Sequence, residues 1–491
     1  MHSNSPAHER SAGVLLALSS LPGRHGIGDM GKAAYEFVDL LCECGAKYWQ
    51  ILPVNPLGCG NSPYQPYSSF AGDPIFIDLD DAPIQRLLAS HVEPFHADSV
   101  SVDYDQVRAF KGNVLREAFE RFHPGTAFQT FLENPLMRDY AVFMTFRELH
   151  GGKSWTQWPE AFRTWPENRD MDLTPYEKAI EFELFMQYLF FDQWRRLKEY
   201  ANKKGILIIG DIPFYVGQDS QDVWTGKENF LLDEEGEPAF IAGVPPDYFS
   251  VTGQRWGNPI YNWDTMQKDG FSLWFSRMQS CETMFDVVRI DHFRAFDTYW
   301  KIPASCPTAE DGAWIEAPGY VFFDALREQY PTMQIIAEDL GYLRKEVLTL
   351  RDHYHFRGMK VMEFALKAWK MPDMEQDRTH MIVYTGTHDN QTAKGFFRAQ
   401  SFINHLGLWV SMFKAGYKTG AMGKKLARMT LNHKADRAIL PVQDILGMGD
   451  EARMNTPGTI GSPNWEWKLK DFEALRLALP AFSKLLRDSG R

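Results

Sequence analysis

Apolar residues along this chain follow two patterns, one continuous and one repeating every three to four positions. The continuous pattern occurs in eight short runs: GVLLALSS (13–20), KYWQILPV (47–54), GILIIGDIPF (205–214), FDVVRIDHF (285–293), MQIIAEDL (from 333), MKVMEFAL (from 359), MIVYTGTHD (from 381) and AILPVQDIL (438–446). Runs that stay apolar at successive positions fit strands buried on both faces, as in a parallel sheet covered by helices, whereas a half-solvated strand would alternate. The second pattern places helices between them. Ala34, Phe37, Val38 and Leu41 follow i, i+3, i+4, i+7 spacing and predict a helix over the outside of the first two strands. A longer helix carries Phe182, Phe185, Met186, Leu189 and Leu197 and stops at Lys203, Lys204 and Gly205, where cations and a glycine suit a C-terminus. Eight strands alternating with helices predict an α/β fold, a (β/α)8 TIM barrel.

The spacing of the runs is uneven. About 150 residues separate the second from the third and about 70 the third from the fourth, against a usual connection of roughly 2 to 6 residues. We therefore read one catalytic barrel domain over residues 1–491, with large helical and loop subdomain insertions after strands 2 and 3, at about 55–204 and about 215–284. Both insertions leave from C-terminal strand ends, the face where such barrels hold their active sites, so they are expected to wall the cleft.

Composition narrows the functional classes. Of 491 residues, 44% are hydrophobic and 24% charged, the balance of a globular protein with an ample core. The net charge of −12, with acidic residues spread along the chain, argues against nucleic acid as a partner. No run approaches transmembrane length, and the apolar centre Val14 to Leu18 is too short for a signal peptide, so no membrane association is expected. Five cysteines (Cys42, Cys44, Cys59, Cys281 and Cys306) show no C-x-x-C spacing and read as reduced thiols of a cytoplasmic enzyme. Aromatic residues make up 14%, including 15 Trp, many in Gly/Pro-rich loops where their rings are available to stack on sugars. Neither an EF-hand spacing nor a His-Glu-x-x-His motif occurs, so no metal and no cofactor are expected.

Three of the runs end on a carboxylate: Asp291, Glu338 and Asp389. Cleaving an acetal between sugars needs a proton donor for the leaving oxygen and an anion facing the oxocarbenium-like carbon. Arg289, two positions before Asp291, shares its face of the strand and is expected to hold that carboxylate ionised, as suits a nucleophile. Glu338 emerges after Ile335, Ile336 and Ala337, an apolar setting that favours the neutral acid and a proton donor. His388 offers a hydrogen-bond donor to a sugar hydroxyl. Singly, each of these is more often a helix cap, a rim ion-pair partner or a structural histidine. Their joint occurrence at successive strand ends points to glycosidic-bond chemistry.

The stretches RIDH, IAEDLG and TGTHDN, with GDIPFYVGQDSQDVW ahead of them, resemble the four short motifs of the α-amylase superfamily. More closely, SSLPGRHGIGDMG, GNSPYQPYSSFAGDP, GVPPDYFSVTGQRWGNPIY and ARMNTPGTIGSPNW make the chain similar, over about residues 13–467, to the 4-α-glucanotransferases of glycoside hydrolase family 77, the amylomaltases or disproportionating enzymes. The resemblance implies transfer of α-1,4-glucan segments between malto-oligosaccharides, with Asp291 as nucleophile, Glu338 as general acid/base and Asp389 as transition-state stabiliser. It implies sugar contacts from Arg289, His292, His388 and Asn390, and glucan contacts from Ser62, Tyr64, Asp247, Gln254, Trp256 and Asn464, with Asp211 structural or at a subsite. Between Phe364 and Val383 the chain lacks a Pro-His-Asn stretch of the family pattern, and Glu363 stands where a glutamine is expected, so the acceptor side is expected to differ in shape.

Three rival readings bear on function. An α-glucan hydrolase would use the same carboxylates and differ only in its acceptor. GIGDMG at Gly26 to Gly31 fits the dinucleotide fingerprint G-x-G-x-x-G, but SLPGRH intervenes after the strand, and Ala46 stands about where the acidic residue belongs. A glucan-binding barrel without catalysis would have no need of a proton donor beside a nucleophile.

Overall fold

The computed structural model describes residues 10–246, 250–341, 343–372, 374 and 377–491. Its strands are β1 (Ser11–Leu15), β2 (Tyr48–Gln50), β3 (Leu207–Ile212), β4 (Phe240–Val244), β5 (Gln254–Pro259), β6 (Val287–Ile290), β7 (Thr298–Pro303), β8 (Ala313–Glu316), β9 (Ile335–Ala337), β10 (Gly358–Val361), β11 (Met381–Tyr384) and β12 (Arg437–Pro441). Eight of them, one from each apolar run, form a parallel sheet in the order β10-β11-β12-β1-β2-β3-β6-β9. The sheet closes on itself where the Ala337 amide donates to Arg357 O (2.8 Å) and the Arg357 amide to Ile335 O (3.4 Å).

Burial on both faces explains why the runs lack alternation. Leu15, Tyr48, Ile209, Val287, Ile336, Met359, Ile382 and Ile439, one side chain from each barrel strand, pack together inside the ring. Their neighbours Val14, Trp49, Ile208, Val288, Ile335, Val383 and Ala438 face the surrounding helices in the larger core. The helix Lys32–Cys44 buries Ala34, Phe37, Val38 and Leu41, the predicted stripe, and Phe37 meets Trp49 edge-on at 5.1 Å. Trp49 is fully buried and its indole nitrogen donates to Leu16 O at 2.9 Å, so the one polar atom it takes into the core is satisfied. The long helix Glu177–Lys203 ends at the predicted lysines, and Gly205 follows with a left-handed φ of 77°.

Several strands stop before their apolar runs do. β1 gives way to the 3-10 turn Leu18–Ser20, β10 to the turn Met362–Ala365 and β12 to the helix Val442–Leu446, all carrying buried residues. The runs continue because the turns leaving the barrel also pack against it. Between β2 and β3 the chain is helical, including Tyr104–Phe119, Pro135–Leu149 and Glu177–Lys203. Beyond β3, β4 and β5 join β7 and β8, which follow β6, in a separate antiparallel sheet ordered β5-β4-β7-β8. That sheet is shared by two successive connections, a pairing that local sequence pattern does not reveal.

Candidate active site

The register of β3 against β6 sets Asp211 opposite Arg289. Side chains two apart on a strand share a face, and Arg289 accordingly reaches both neighbours. Its Nη1 donates to both carboxylate oxygens of Asp211 (2.7 Å each) and its Nη2 to Asp291 Oδ1 (3.0 Å). The Tyr64 hydroxyl donates to Asp211 Oδ2 at 3.0 Å. Burial opposes the guanidinium charge, but Asp211 and Asp291 hold Arg289 well above its ordinary value. Asp291 lies at the top of this stack with 32% of its side chain open, so a ligand in the cleft can reach it.

Asp291 continues the ladder one step past β6, its amide donating to Ile212 O at 2.9 Å. The chain then turns sharply at His292, whose φ of 53° is left-handed. Such a conformation strains a residue with a Cβ and is kept where surrounding bonds fix it. Here the His292 amide donates to Glu338 Oε2 (2.9 Å) and the Phe293 amide to Glu338 O (3.1 Å), while the Glu338 amide donates to Ile290 O (3.1 Å). The Leu340 amide donates to Glu338 Oε1 at 2.9 Å. The turn after β6 and the end of β9 thus lock Glu338 beside Asp291.

Both carboxyls are raised by their surroundings. Burial first, then the charge of Asp291, push Glu338 up to about 7, against the pull of Arg289 and the Leu340 amide. Enclosure in the cleft also raises Asp291, while Arg289 opposes the rise. Arg289 acts on Asp291 in the expected sense but does not set the direction: burial in the cleft outweighs it, and its bond to Oδ1 opposes the rise. The imidazole of His292 is pushed down to about 3 by burial and by Arg294, and is therefore neutral at working pH.

Asp389 stands on the loop after β11. Its Oδ1 accepts from Asn455 Nδ2 at 2.7 Å, and its backbone oxygen accepts from Arg453 Nη2 at 2.8 Å. His388 is buried beside it, stacked on the Tyr64 ring at a centroid distance of 5.0 Å, and Trp465 lies 5.8 Å from both rings. Trp256 meets His292 edge-on at 4.8 Å, and its backbone oxygen accepts from Gln65 Nε2 at 3.1 Å.

An open cleft of about 600 Å³ brings together Ser62, Tyr64, Gln254, Trp256, Asp291, His292, His388 and Asp389. Arg289 lies behind its floor, bonded to Asp291, and Glu338 is held against the His292 turn. Asn390 and Asn464 are not among the lining residues. The Asn390 Oδ1 accepts from the amide and hydroxyl of Thr387 (2.8 and 2.9 Å), and Asn464 bonds the Thr456 amide and the Thr459 hydroxyl, each at 2.9 Å. Both shape the loops that carry the site. Asp247 lies outside the described residues. Sequence reasoning missed Asn455, Trp465 and Gln65. Asn455 and Trp465 sit within or beside ARMNTPGTIGSPNW, but nothing local separates Asn455 from the other polar residues there.

Among the described residues no cluster of three or more His, Cys, Asp or Glu side chains is placed to hold a metal ion, and no helix is long and apolar enough to cross a membrane. Comparison with known proteins places this constellation in context. The family model described as 4-α-glucanotransferase matches residues 16–474. The 4-α-glucanotransferase of Thermus thermophilus is 42% identical over 479 residues, covering 94% of this chain and 95% of that protein. The Synechocystis enzyme of the same name is 41% identical over 492 residues, covering 94% of each. Among solved structures, the amylomaltase of Streptococcus agalactiae in complex with acarbose superposes with a TM-score of 0.91 at 34% identity, covering 98% of this chain and 99% of that one. With the barrel, the converging carboxyls and the full-length likeness in agreement, the chain belongs to glycoside hydrolase family 77, the 4-α-glucanotransferases.

Proposed function

We propose that this enzyme moves a segment of an α-1,4-glucan onto the 4-hydroxyl of another glucan or of glucose by two successive displacements at one anomeric carbon. In the first, an oxygen of Asp291 bonds to that carbon while Glu338 gives its proton to the departing glycosidic oxygen. The products are a glycosyl ester on Asp291 and a shortened glucan with a free 4-hydroxyl. In the second, the ionised Glu338 takes the proton of an acceptor 4-hydroxyl, whose oxygen displaces Asp291 and regenerates both groups. Two inversions give net retention.

The observation that carries this reading is the different hold on two neighbouring carboxyls: Glu338 sits on two backbone amides and is pushed up to about 7, near a general acid's optimum, while Asp291 has a guanidinium on one oxygen. Asp389, with Oδ1 fixed by Asn455, has its second oxygen for hydroxyls of the flattening sugar ring. Aromatic faces of Tyr64, Trp256 and Trp465 along the cleft suit the apolar faces of glucose units. Ser62 and Tyr64 come from the stretch after β2, and Gln254 and Trp256 from the stretch after β3, which supports reading those excursions as cleft walls on one barrel domain. Malto-oligosaccharides are the substrates we assign, and the cytoplasm the compartment.

The test is the product ladder from maltotriose, with free glucose and reducing ends quantified. Transfer gives glucose together with maltopentaose and longer products at a constant number of reducing ends. Growth of reducing ends without longer products would make the enzyme a hydrolase. Asp291→Asn should lower turnover by on the order of 10⁴ or more while calorimetric binding of maltoheptaose persists; unchanged turnover would remove Asp291 from its role.

A further inference from the structure

Behind the loop that carries His388 and Asp389 stand three carboxyl groups that the displacement steps do not use. Asp444, on the helix Val442–Leu446, accepts from the Thr385 hydroxyl and from the Ala393 amide (2.7 Å). Asp450 accepts from the Thr392 amide (3.1 Å) and from Gln391 Nε2 (2.7 Å). Those two tie down both ends of the loop. The third, Glu363, lies in the turn after β10, is 4% exposed, and has Oε1 buried without a hydrogen-bond partner. That oxygen faces the loop: a Cβ built on Gly386 would lie 3.4 Å from it, and the Glu363 amide donates to Thr385 O at 3.3 Å.

An unbonded buried carboxyl is tolerable as a neutral acid and costly as an anion. The charges around it sharpen that contrast. Asp444 and Asp450 are both acidic. Arg453 opposes them and is engaged with the backbone oxygens of Asp389 and Asn455. The helix Met422–Asn432 also packs on this turn, and its Lys425 lies over the Trp409 ring. Burial, then Asp444 and Asp450, push Glu363 up to about 9, against Arg453.

We infer that Glu363 is a positioning residue for glucan transfer: as a neutral acid wedged behind Gly386 it sets the height of the loop from Thr385 to Asn390, and a negative charge there moves His388 and Asp389 off the sugar. The inference rests on the assignment of Asp389 to the transition state. Glu363 itself touches no substrate.

Maltotriose disproportionation by the wild type, Glu363→Gln and Glu363→Ala, followed from pH 6 to 10.5, tests it. Loss of the Glu338 proton near 7 gives log kcat/KM a slope of about −1, and Glu363 adds a second ionisation that steepens it to about −2 above about 9. Glu363→Gln, which cannot ionise, is expected to keep the slope of about −1, to match wild type within about twofold at pH 7, and to exceed it about tenfold one pH unit above the break. Glu363→Ala empties the wedge and is expected to lower kcat about tenfold at pH 7, with KM changed less than about threefold. Identical slopes in wild type and Glu363→Gln overturn the inference, as does full kcat in Glu363→Ala. Wild-type activity that merely tracks the folded fraction by circular dichroism also overturns it, because Glu363 would then act on stability alone. Full turnover in Asp389→Asn, by contrast, would sink the underlying assignment of Asp389.

Discussion

Arg289→Lys separates the two tasks of the guanidinium. Arg289 spans from both oxygens of Asp211 to Oδ1 of Asp291 through three bonds of 2.7, 2.7 and 3.0 Å. An ammonium at the Asp211 end keeps that buried aspartate paired, which matters because an unpaired buried charge costs about 3–5 kcal/mol and would confuse activity with unfolding. It is a point charge, however, and does not reach Asp291 at the same time. The loss is one charge-assisted hydrogen bond, about 1.5–3 kcal/mol when shielded. With 32% of the Asp291 side chain open to solvent, the lower end applies, about 1.5 kcal/mol, or about one pH unit. The sign follows from the charge: removing the cation's bond disfavours ionised Asp291, so its value in the folded enzyme rises further. The acid limb of kcat/KM for maltotriose is expected to move up by about one unit and the rate below it to fall about tenfold. The alkaline limb, set by Glu338 near 7, is expected to hold within a few tenths, because the retained ammonium preserves the long-range charge. An acid limb that stays in place or moves down would refute the account of Asp291.

Two further outcomes follow from the same site. Glu338→Gln removes the proton donor and should lower kcat by about 10²–10⁴. It should also stabilise the protein at alkaline pH, because a carboxyl held at about 7 against an ordinary 4.5 keeps its proton in the folded state where the unfolded chain has lost it. Stability therefore falls as pH rises from 4.5 to about 7, and the glutamine variant should gain about 2 kcal/mol at pH 8, after allowance for solvent in the cleft, and little at pH 4, by urea unfolding at the two pH values. Equal gains at both would show that the carboxyl's charge is not what costs stability. Asn455→Ala frees Asp389 Oδ1 from its 2.7 Å donor, and kcat should fall about tenfold to a hundredfold with KM nearly unchanged, if that carboxylate acts mainly in the transition state. A rise in KM at constant kcat in steady-state kinetics would mean Asp389 binds ground state and transition state alike.

The barrel was legible because its strands are wrapped on both sides: a residue such as Val14 packs outward and Leu15 inward, so neither position can be polar. The converging carboxyls were legible for a related reason, since a polar residue ending such a run has left the core and needs a use. What escaped depended on distance in sequence. The sheet β5-β4-β7-β8 joins segments on either side of β6, and three of its strands, QRWGNP, TYWKIP and AWIE, carry polar residues that break any continuous apolar run. Asn455 lies 66 positions from the carboxylate it orients, and only the fold brings them together. Asn390 and Asn464 sit within the motifs, yet their amides complete turns instead of lining the cleft. The direction of the Asp291 shift was hidden as well, because Arg289 is two residues away while the walls that enclose it come from the stretches after β2 and β3.

The closure of the barrel is uneven, and the unevenness falls beside the chemistry. Between β9 and β10 the ring is joined by the short bridge at Ile336 and Arg357, whereas β1 and β12 align over five residues. A side chain reinforces the join: the Met359 amide of β10 donates to Oδ1 of Asp339, two residues past β9, at 2.7 Å. Glu338 stands at the end of β9, beside that seam. Seven pairings of the ring are backbone ladders, and the eighth, next to the residue that carries the proton, leans on an aspartate to complete the circle.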